Sequence, residues 1–102
     1  MRTENLALKH VYYEEIRKGL KKIEYRELND YYIRKFLDIG KYPNMTTDQI
    51  KEALVDGKMP AYKNDVTHIQ FFENGRRMIV EVKGVKVHRG HEVLCIELGK
   101  IL

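Results

Sequence analysis

The sequence predicts an α+β domain, a small mixed β-barrel with peripheral helices. Three observations lead to this fold class. A strand, a helix and a second strand can be recognised in the first 27 residues, helical spacing dominates the middle, and a hairpin signal opens the last third. A chain of 102 residues supports one modest core, and no internal repeat or linker divides it. We therefore expect a single domain over residues 1–102.

The first 27 residues alternate between strand and helix patterns. Leu6–Leu8 is apolar enough for a short strand, and Val11–Lys18 has acidic residues toward its front and basic residues at its end, as the helix dipole favours. Gly19 stands where this helix stops, a position that commonly needs a left-handed backbone. Polar and apolar residues then alternate over Lys22–Glu27, which predicts a strand. The predicted apolar stripe of the helix contains Tyr12, Tyr13, Ile16 and Leu20.

The segment 28–65 is predicted to be a helical insertion between strands of the barrel. Asn29 or Asp30 can cap a second helix, which Gly40 would end. Thr46 and Gln49 have the spacing of a capping box, and Gly57 would close the third helix. The pattern leaves open whether this insertion covers a binding cleft.

Asn74-Gly75 is the clearest local signal in the chain. It lies between two runs rich in β-branched and aromatic residues and predicts a hairpin with a two-residue type I′ turn. Such a turn pairs Glu73 with Arg76 and sets the register behind it, with His68 opposite Glu81. The predicted strands are Val66–Glu73, Arg76–Val85 and a last one over Glu92–Ile101.

Three charged residues follow Gly19 at fixed offsets: Lys21, Glu24 and Arg26. In a strand Glu24 and Arg26 share one face, while Tyr25 lies on the other and is expected to pack inward. Lys21 would lie where the helix gives way to the strand. These charges would form a cleft for a polar, planar or anionic ligand; the alternative is a surface ladder of ion pairs, each contributing about 0–1 kcal/mol.

This G-x-K-x-x-E-x-R pattern resembles the signature of the ASCH domain family, a branch of the PUA-like superfamily. Leu6–Leu8 with Tyr12–Ile16, and the later strands Arg77–Val85 and Cys95–Ile101, are also similar to family segments. The resemblance implies a PUA-like barrel whose cleft is lined by Gly19, Lys21, Glu24 and Arg26. It also implies RNA or a nucleotide-like molecule as the ligand.

The resemblance leaves catalysis open. Some family members are similar to amidohydrolases of acylated pyrimidine nucleosides, in which a lysine at the position of Lys21, a threonine at that of Glu24 and a downstream glutamate carry the chemistry. This chain has a carboxylate at position 24 in place of the threonine hydroxyl. Other members resemble metal-assisted ribonucleases or RNA-binding modules.

The pairing of His68 with Glu81 is a second catalytic candidate, because a carboxylate can orient or charge an imidazole. The alternative is an ordinary cross-strand pair. Catalytic candidates are thus Lys21, Glu24 and Glu81. His88 and His91 with Glu92 form too weak a pattern for a metal site, so no metal or cofactor is expected.

Aromatic residues are numerous enough for base stacking, with seven Tyr and three Phe. Tyr12, Tyr13, Tyr32 and Phe36 lie on helical stripes and are expected in the core. Tyr25, Tyr42 and Tyr62 are the better stacking candidates. Tyr62, in the loop before the hairpin, is expected to reach the cleft and joins His68 as a predicted ligand-binding residue.

The charge balance favours an anionic partner. Nineteen Lys and Arg against fifteen Asp and Glu give a formal charge of +4, concentrated in residues 17–35 and 76–91. If the fold brings these two segments together, they form a basic surface beside the motif; the alternative is two separate solvated faces. Arg89 belongs to the second segment.

The single cysteine, Cys95, indicates a reducing cytoplasm, and no run suits a signal peptide or a membrane span. The leading hypothesis is a binding module for RNA or a nucleotide-like ligand. The alternatives are a small hydrolase acting on acylated nucleosides or RNA, and a protein-interaction domain that uses the basic face. The oligomeric state is left open.

Overall fold

The computed structural model describes residues 1–88 and 90–102; Arg89, counted above in the basic segment, lies outside the described residues. The fold is mixed α+β, as predicted, with a five-stranded sheet curled into a half-barrel and three helices. The strands are β1 (Thr3–Ala7), β2 (Ile23–Glu27), β3 (His68–Glu73), β4 (Arg76–His88) and β5 (Val93–Ile101). The helices are α1 (His10–Arg17), α2 (Asp30–Phe36) and α3 (Thr47–Val55), with one 3-10 turn at Ile39–Lys41.

The strands lie side by side in the order β1-β3-β4-β5-β2. β1 runs parallel to β3, and every other neighbouring pair is antiparallel. β1 and β2 are therefore the two edges of the half-barrel. This arrangement places the segment that follows α1 at one edge of the sheet, next to β5.

The predicted hairpin is confirmed together with its register. Asn74 and Gly75 both have positive φ, 44° and 83°, as a type I′ turn requires. Glu73 pairs with Arg76, and His68 pairs with Glu81. β4 continues three residues beyond the predicted end, to His88, because it pairs along most of its length with β5.

One face of the curled sheet carries the core. The fully buried side chains of the strands include Ile69, Phe71, Val80, Leu94 and Ile96, and those of the helices include Ile33, Phe36 and Ile50. Tyr13 and Ile16 of α1 are buried in the same cluster, whereas Tyr12 is exposed, so its predicted place in the core is wrong. Successive residues along β3 and most of β4 alternate between this core and an outer face.

The helix ends follow local chemistry, with one exception. Gly19 has φ +76° at the end of α1, and the Thr46–Gln49 capping box starts α3, both as predicted. The expectation that α2 runs to Gly40 is wrong, because it ends at Phe36. Leu37 turns to an extended conformation, where it is buried and forms a bridge with Lys63. The helix therefore ends before Gly40, because burial of Leu37 in an extended conformation stops it earlier.

An arginine joins α1 to the hairpin. Arg76 donates to Glu14 at 2.6 Å and to Glu73 at 2.9 Å, and its guanidinium lies 4.5 Å from the centre of the Tyr13 ring. Hydrogen bonds from Arg17 and then Arg76 lower the pKa of Glu14 to about 2. The network thus holds α1 against the sheet and keeps this carboxylate charged.

The helices are seven to nine residues long. None in the described part of the chain combines the length and apolar character needed to cross a bilayer.

Candidate functional site

The three charges of the motif converge, with Glu24 between two cations. Arg26 donates to Oε2 of Glu24 from Nη2 at 2.8 Å and from Nε at 3.2 Å, a fork onto one oxygen. Nζ of Lys21 lies 3.4 Å from the other oxygen, Oε1, which also accepts the backbone N–H of Tyr25. The side chains predicted to meet therefore do meet, and they bind one another.

Burial makes this cluster different from a surface ladder of ion pairs. Glu24 is only 4% exposed and is the one charged residue buried among those described. The side chains of Lys21 and Arg26 are 15% and 18% exposed. Burial alone would lower the pKa of Arg26, but hydrogen bonds to Glu24 and Tyr32 outweigh it and raise that pKa above its ordinary value. Arg26 therefore stays charged although it is largely buried.

Arg26 also connects the two edges of the half-barrel. From β2 it donates to the carbonyl oxygen of Ala7, at the end of β1, at 3.0 Å. Its Nη1 donates to the hydroxyl of Tyr32 on α2 at 2.9 Å. With every nitrogen of its fork engaged inside the protein, this guanidinium holds the sheet in its curled shape.

Lys21 is flanked by two exposed tyrosines. Its Nζ lies 5.2 Å from the ring centre of Tyr12 and 5.1 Å from that of Tyr25. The prediction that Tyr25 packs inward is wrong: its side chain lies outside, 54% exposed, because β2 turns its charged face to the core. The pair of rings presents aromatic surface beside the motif, where stacking on a base is chemically feasible.

A groove of about 510 Å³ opens next to the motif, between the end of α1 and the β4–β5 pair. Its polar rim contains four lysines and one carboxylate, Lys21, Lys22, Lys83, Lys100 and Glu81. Its apolar lining comes from Ile16, Val80, Leu98 and Ile101, with glycines at positions 19 and 99. Among the described residues, only the first of these lysines takes part in an ion pair. The groove therefore combines uncompensated positive charge with an apolar floor.

The groove exists because β2 is shorter than its neighbour. β2 begins at Ile23, opposite Glu97, whereas β5 continues to Ile101. The backbone N–H of Leu98 donates to the carbonyl of Lys22 at 2.9 Å, which anchors the start of β2, and the last residues of β5 run on past it. The pairing of β4 with β5 is irregular between Val80 and Gly84, and this stretch of β4 lines the groove with Val80, Glu81 and Lys83.

Only part of the predicted motif lines this groove. Gly19 and Lys21 do, whereas Glu24 and Arg26 are engaged with each other and are not lining residues. The predicted basic surface forms in part, since the groove brings residues 21 and 22 of the first basic segment together with Lys83 of the second. Lys100 was missed; only its place near the end of a strand beside Gly99 offered a signal.

Glu81 lies in the groove and opposite His68 in the strand register. The imidazole of His68 has its Nδ1 2.8 Å from the hydroxyl oxygen of Thr67, and no ion pair with Glu81 forms among the described residues. The two residues are thus neighbours without the hydrogen bond that a dyad needs. The Glu81 carboxylate lies over Gly99, where a Cβ atom would collide with it.

Tyr62 is placed away from the motif. Its ring lies 6.1 Å from that of Tyr42 and 5.8 Å from Nζ of Lys41, beside the 3-10 turn. The structure therefore does not bring Tyr62 to the motif cluster. Tyr42, proposed above for stacking, is buried, and its hydroxyl donates to the carbonyl of Pro60.

The remaining candidates form no reactive cluster. The rings of His88 and His91 lie 4.7 Å apart, but within residues 1–88 and 90–102 no three potential ligands group together as a metal site would need. Burial, and then the nearby Glu97 charge, raise the pKa of the Cys95 thiol, which disfavours the reactive thiolate.

Searches with protein-family models, curated proteins and solved structures return no match to this chain. The similarity to the ASCH family thus remains a prediction based on the motif and on the segments around it.

Proposed function

We propose that this chain is a binding module for RNA or a nucleotide-like ligand, of the PUA-like ASCH type, and that the lysine-rimmed groove beside the motif receives the ligand. The observation that carries the proposal is the composition of the groove, four lysines against one carboxylate above an apolar floor. Lysine ammonium groups bind phosphates as point charges, while an apolar floor accepts the face of a base or sugar.

The motif cluster has a supporting role in this proposal. Glu24 and Arg26 hold each other and close the half-barrel, and that arrangement fixes the position of Lys21 at the groove. Lys21 contributes one cation to the rim, and Tyr25 beside it offers an aromatic face. In this proposal the ligand phosphates contact Lys22, Lys83 and Lys100, the three groove lysines that form no ion pair among the described residues.

The test is binding of a fluorescent single-stranded RNA ten-mer, measured by anisotropy over a series of salt concentrations. Each lost phosphate contact lowers the slope of log K against log salt by about 0.7 for single strands. We expect Lys22→Ala, Lys100→Ala to weaken binding and to reduce the slope by about 1.4. The control Lys9→Ala, Lys58→Ala removes the same net charge from exposed positions outside the groove. Equal slopes for the two double variants would reject the groove as the phosphate site.

A second candidate function, a hydrolase of acylated nucleosides, is favoured by one observation: Lys21 and the carboxylate of Glu81 line the same groove. A lysine and a carboxylate in one cleft can share proton transfer at an amide. Incubation with an acylated pyrimidine nucleoside, followed by chromatography, should then show release of the free nucleoside, and Glu81→Gln should abolish it. Absence of turnover by the wild-type protein would exclude this activity for that substrate.

A further inference from the structure

The outer face of the sheet carries an exposed aromatic ring among polar residues. Phe72 on β3 is 41% exposed, and its neighbours in register are Ala7 on β1 and Arg77 on β4. Two residues back, Gln70 lies opposite Asn5. Because strand side chains alternate, these residues all belong to the face opposite the core.

This face contains a pocket of about 530 Å³, lined by Asn5, Gln70, Phe72, Gly75, Arg76 and Arg77. None of the described residues that line it carries a carboxylate. Arg76 is engaged by Glu14 and Glu73, but Arg77 forms no ion pair within the described part of the chain. The pocket therefore offers an open aromatic surface next to an uncompensated positive charge.

The two amides of the pocket are held together. Nε2 of Gln70 donates to Oδ1 of Asn5 at 3.3 Å. Among the described residues, the other amide atoms, Oε1 of Gln70 and Nδ2 of Asn5, have no hydrogen-bond partner. This free acceptor and this free donor are the kinds of group with which asparagine and glutamine side chains read the edge of adenine.

We propose that this pocket binds a base of single-stranded nucleic acid, with the base stacked on Phe72, its edge hydrogen-bonded by Asn5 and Gln70, and its phosphate near Arg77. The inference rests on the proposed function and adds a base-recognition site to it. Exposed aromatic residues on a sheet surface are a common means of holding unpaired bases.

The pocket and the lysine-rimmed groove are connected along β4. Arg77, Ile79 and Glu81 follow one another at intervals of two residues, and Glu81 lines the groove. Four residues of strand span about 13 Å. A nucleic-acid strand whose phosphates lie in the groove can span this distance to the Phe72 pocket, which favours a nucleic acid over a single nucleotide.

The experiment compares ten-mers of oligoadenylate and oligouridylate by fluorescence anisotropy, with adenosine monophosphate as a competitor. Phe72→Leu keeps an apolar side chain but removes the aromatic face, and Tyr31→Leu on α2 is a matched control at another exposed ring. Loss of one stacked base should weaken oligoadenylate binding about 5- to 160-fold without changing the salt slope. Asn5→Ala, Gln70→Ala should remove the preference for oligoadenylate, and thermal melting of every variant should show an intact fold.

The outcomes separate this inference from the proposed function. If Phe72→Leu binds RNA as the wild type does while the Lys22→Ala, Lys100→Ala variant binds more weakly, the groove is supported as the phosphate site and the base pocket is rejected. If Tyr31→Leu loses as much affinity as Phe72→Leu, the pocket is also rejected. If the wild type binds neither ten-mer, both proposals fail. Full competition by adenosine monophosphate at concentrations comparable with the ten-mer would show that a single nucleotide, rather than a strand, is the ligand.

Discussion

Replacement of Glu24 by glutamine tests the view that this buried carboxylate holds the motif together. The substitution preserves size but leaves Lys21 and Arg26 in a largely buried place without their counter-charge. Removing one partner of a buried ion pair costs about 3–5 kcal/mol, and the residual exposure of the two cations favours the lower end, about 3 kcal/mol. For a domain of this size, that loss lowers the melting temperature by at least about 12 °C.

The assay is equilibrium unfolding in urea, followed by circular dichroism, with Glu27→Gln as the control. Glu27 lies on the same strand but is exposed, so its substitution should change the free energy of unfolding by no more than about 0.5 kcal/mol. In a double-mutant cycle, Glu24→Gln with Arg26→Gln should be less destabilising than the sum of the two single changes, by about 1 kcal/mol or more. If Glu24→Gln unfolds at the same urea concentration as Glu27→Gln, the reasoning about the motif is refuted.

Three further predictions concern pH, backbone conformation and the groove. Because the pKa of Glu14 is lowered, its carboxylate stabilises the fold fully at pH values above its ordinary pKa of 4.5, and this stabilisation is lost as the pH falls through about 2. Glu14→Gln should therefore flatten the dependence of the urea midpoint on pH between 5 and 2. Gly19→Ala should cost about 1–2 kcal/mol in a thermal melt because of the left-handed φ, and an unchanged melting temperature would contradict this. Glu81→Gln removes the one carboxylate among the described residues of the groove and should strengthen RNA binding by up to about 5-fold in anisotropy titrations. Weaker binding would contradict a phosphate-binding role for the groove.

Local backbone features could be predicted from short stretches of sequence. Asn74-Gly75 suffices to specify the turn, and the turn specifies the register of the hairpin. Thr46 with Gln49 specifies the start of α3 in the same way, since both hydrogen bonds of the capping box join residues three apart. These features depend on interactions between near neighbours, which the sequence displays directly.

The orientation of β2 was decided by tertiary structure. Alternation shows that Glu24 and Arg26 share a face and that Tyr25 lies on the other, but it does not show which face is turned to the core. Pairing with β5 places Glu24 opposite the buried Ile96, and two cations compensate its charge there. A charged face turned toward the core is stable only because folding brings Lys21 and Arg26 next to Glu24 and places the Tyr32 hydroxyl of α2 against Arg26.

The candidate site likewise combines both kinds of information. The motif with Gly19 and Lys21 marked the right part of the chain, because the glycine ends a helix and the lysine follows it at the sheet edge. Lys83 and Lys100 join them only through the pairing of β4 with β5 and the shortness of β2. The sequence by itself determined which local elements form and which charged residues are available. Only the tertiary structure decided which charges neutralise one another and which remain open to a ligand, because ion pairing depends on contacts between residues far apart in the chain.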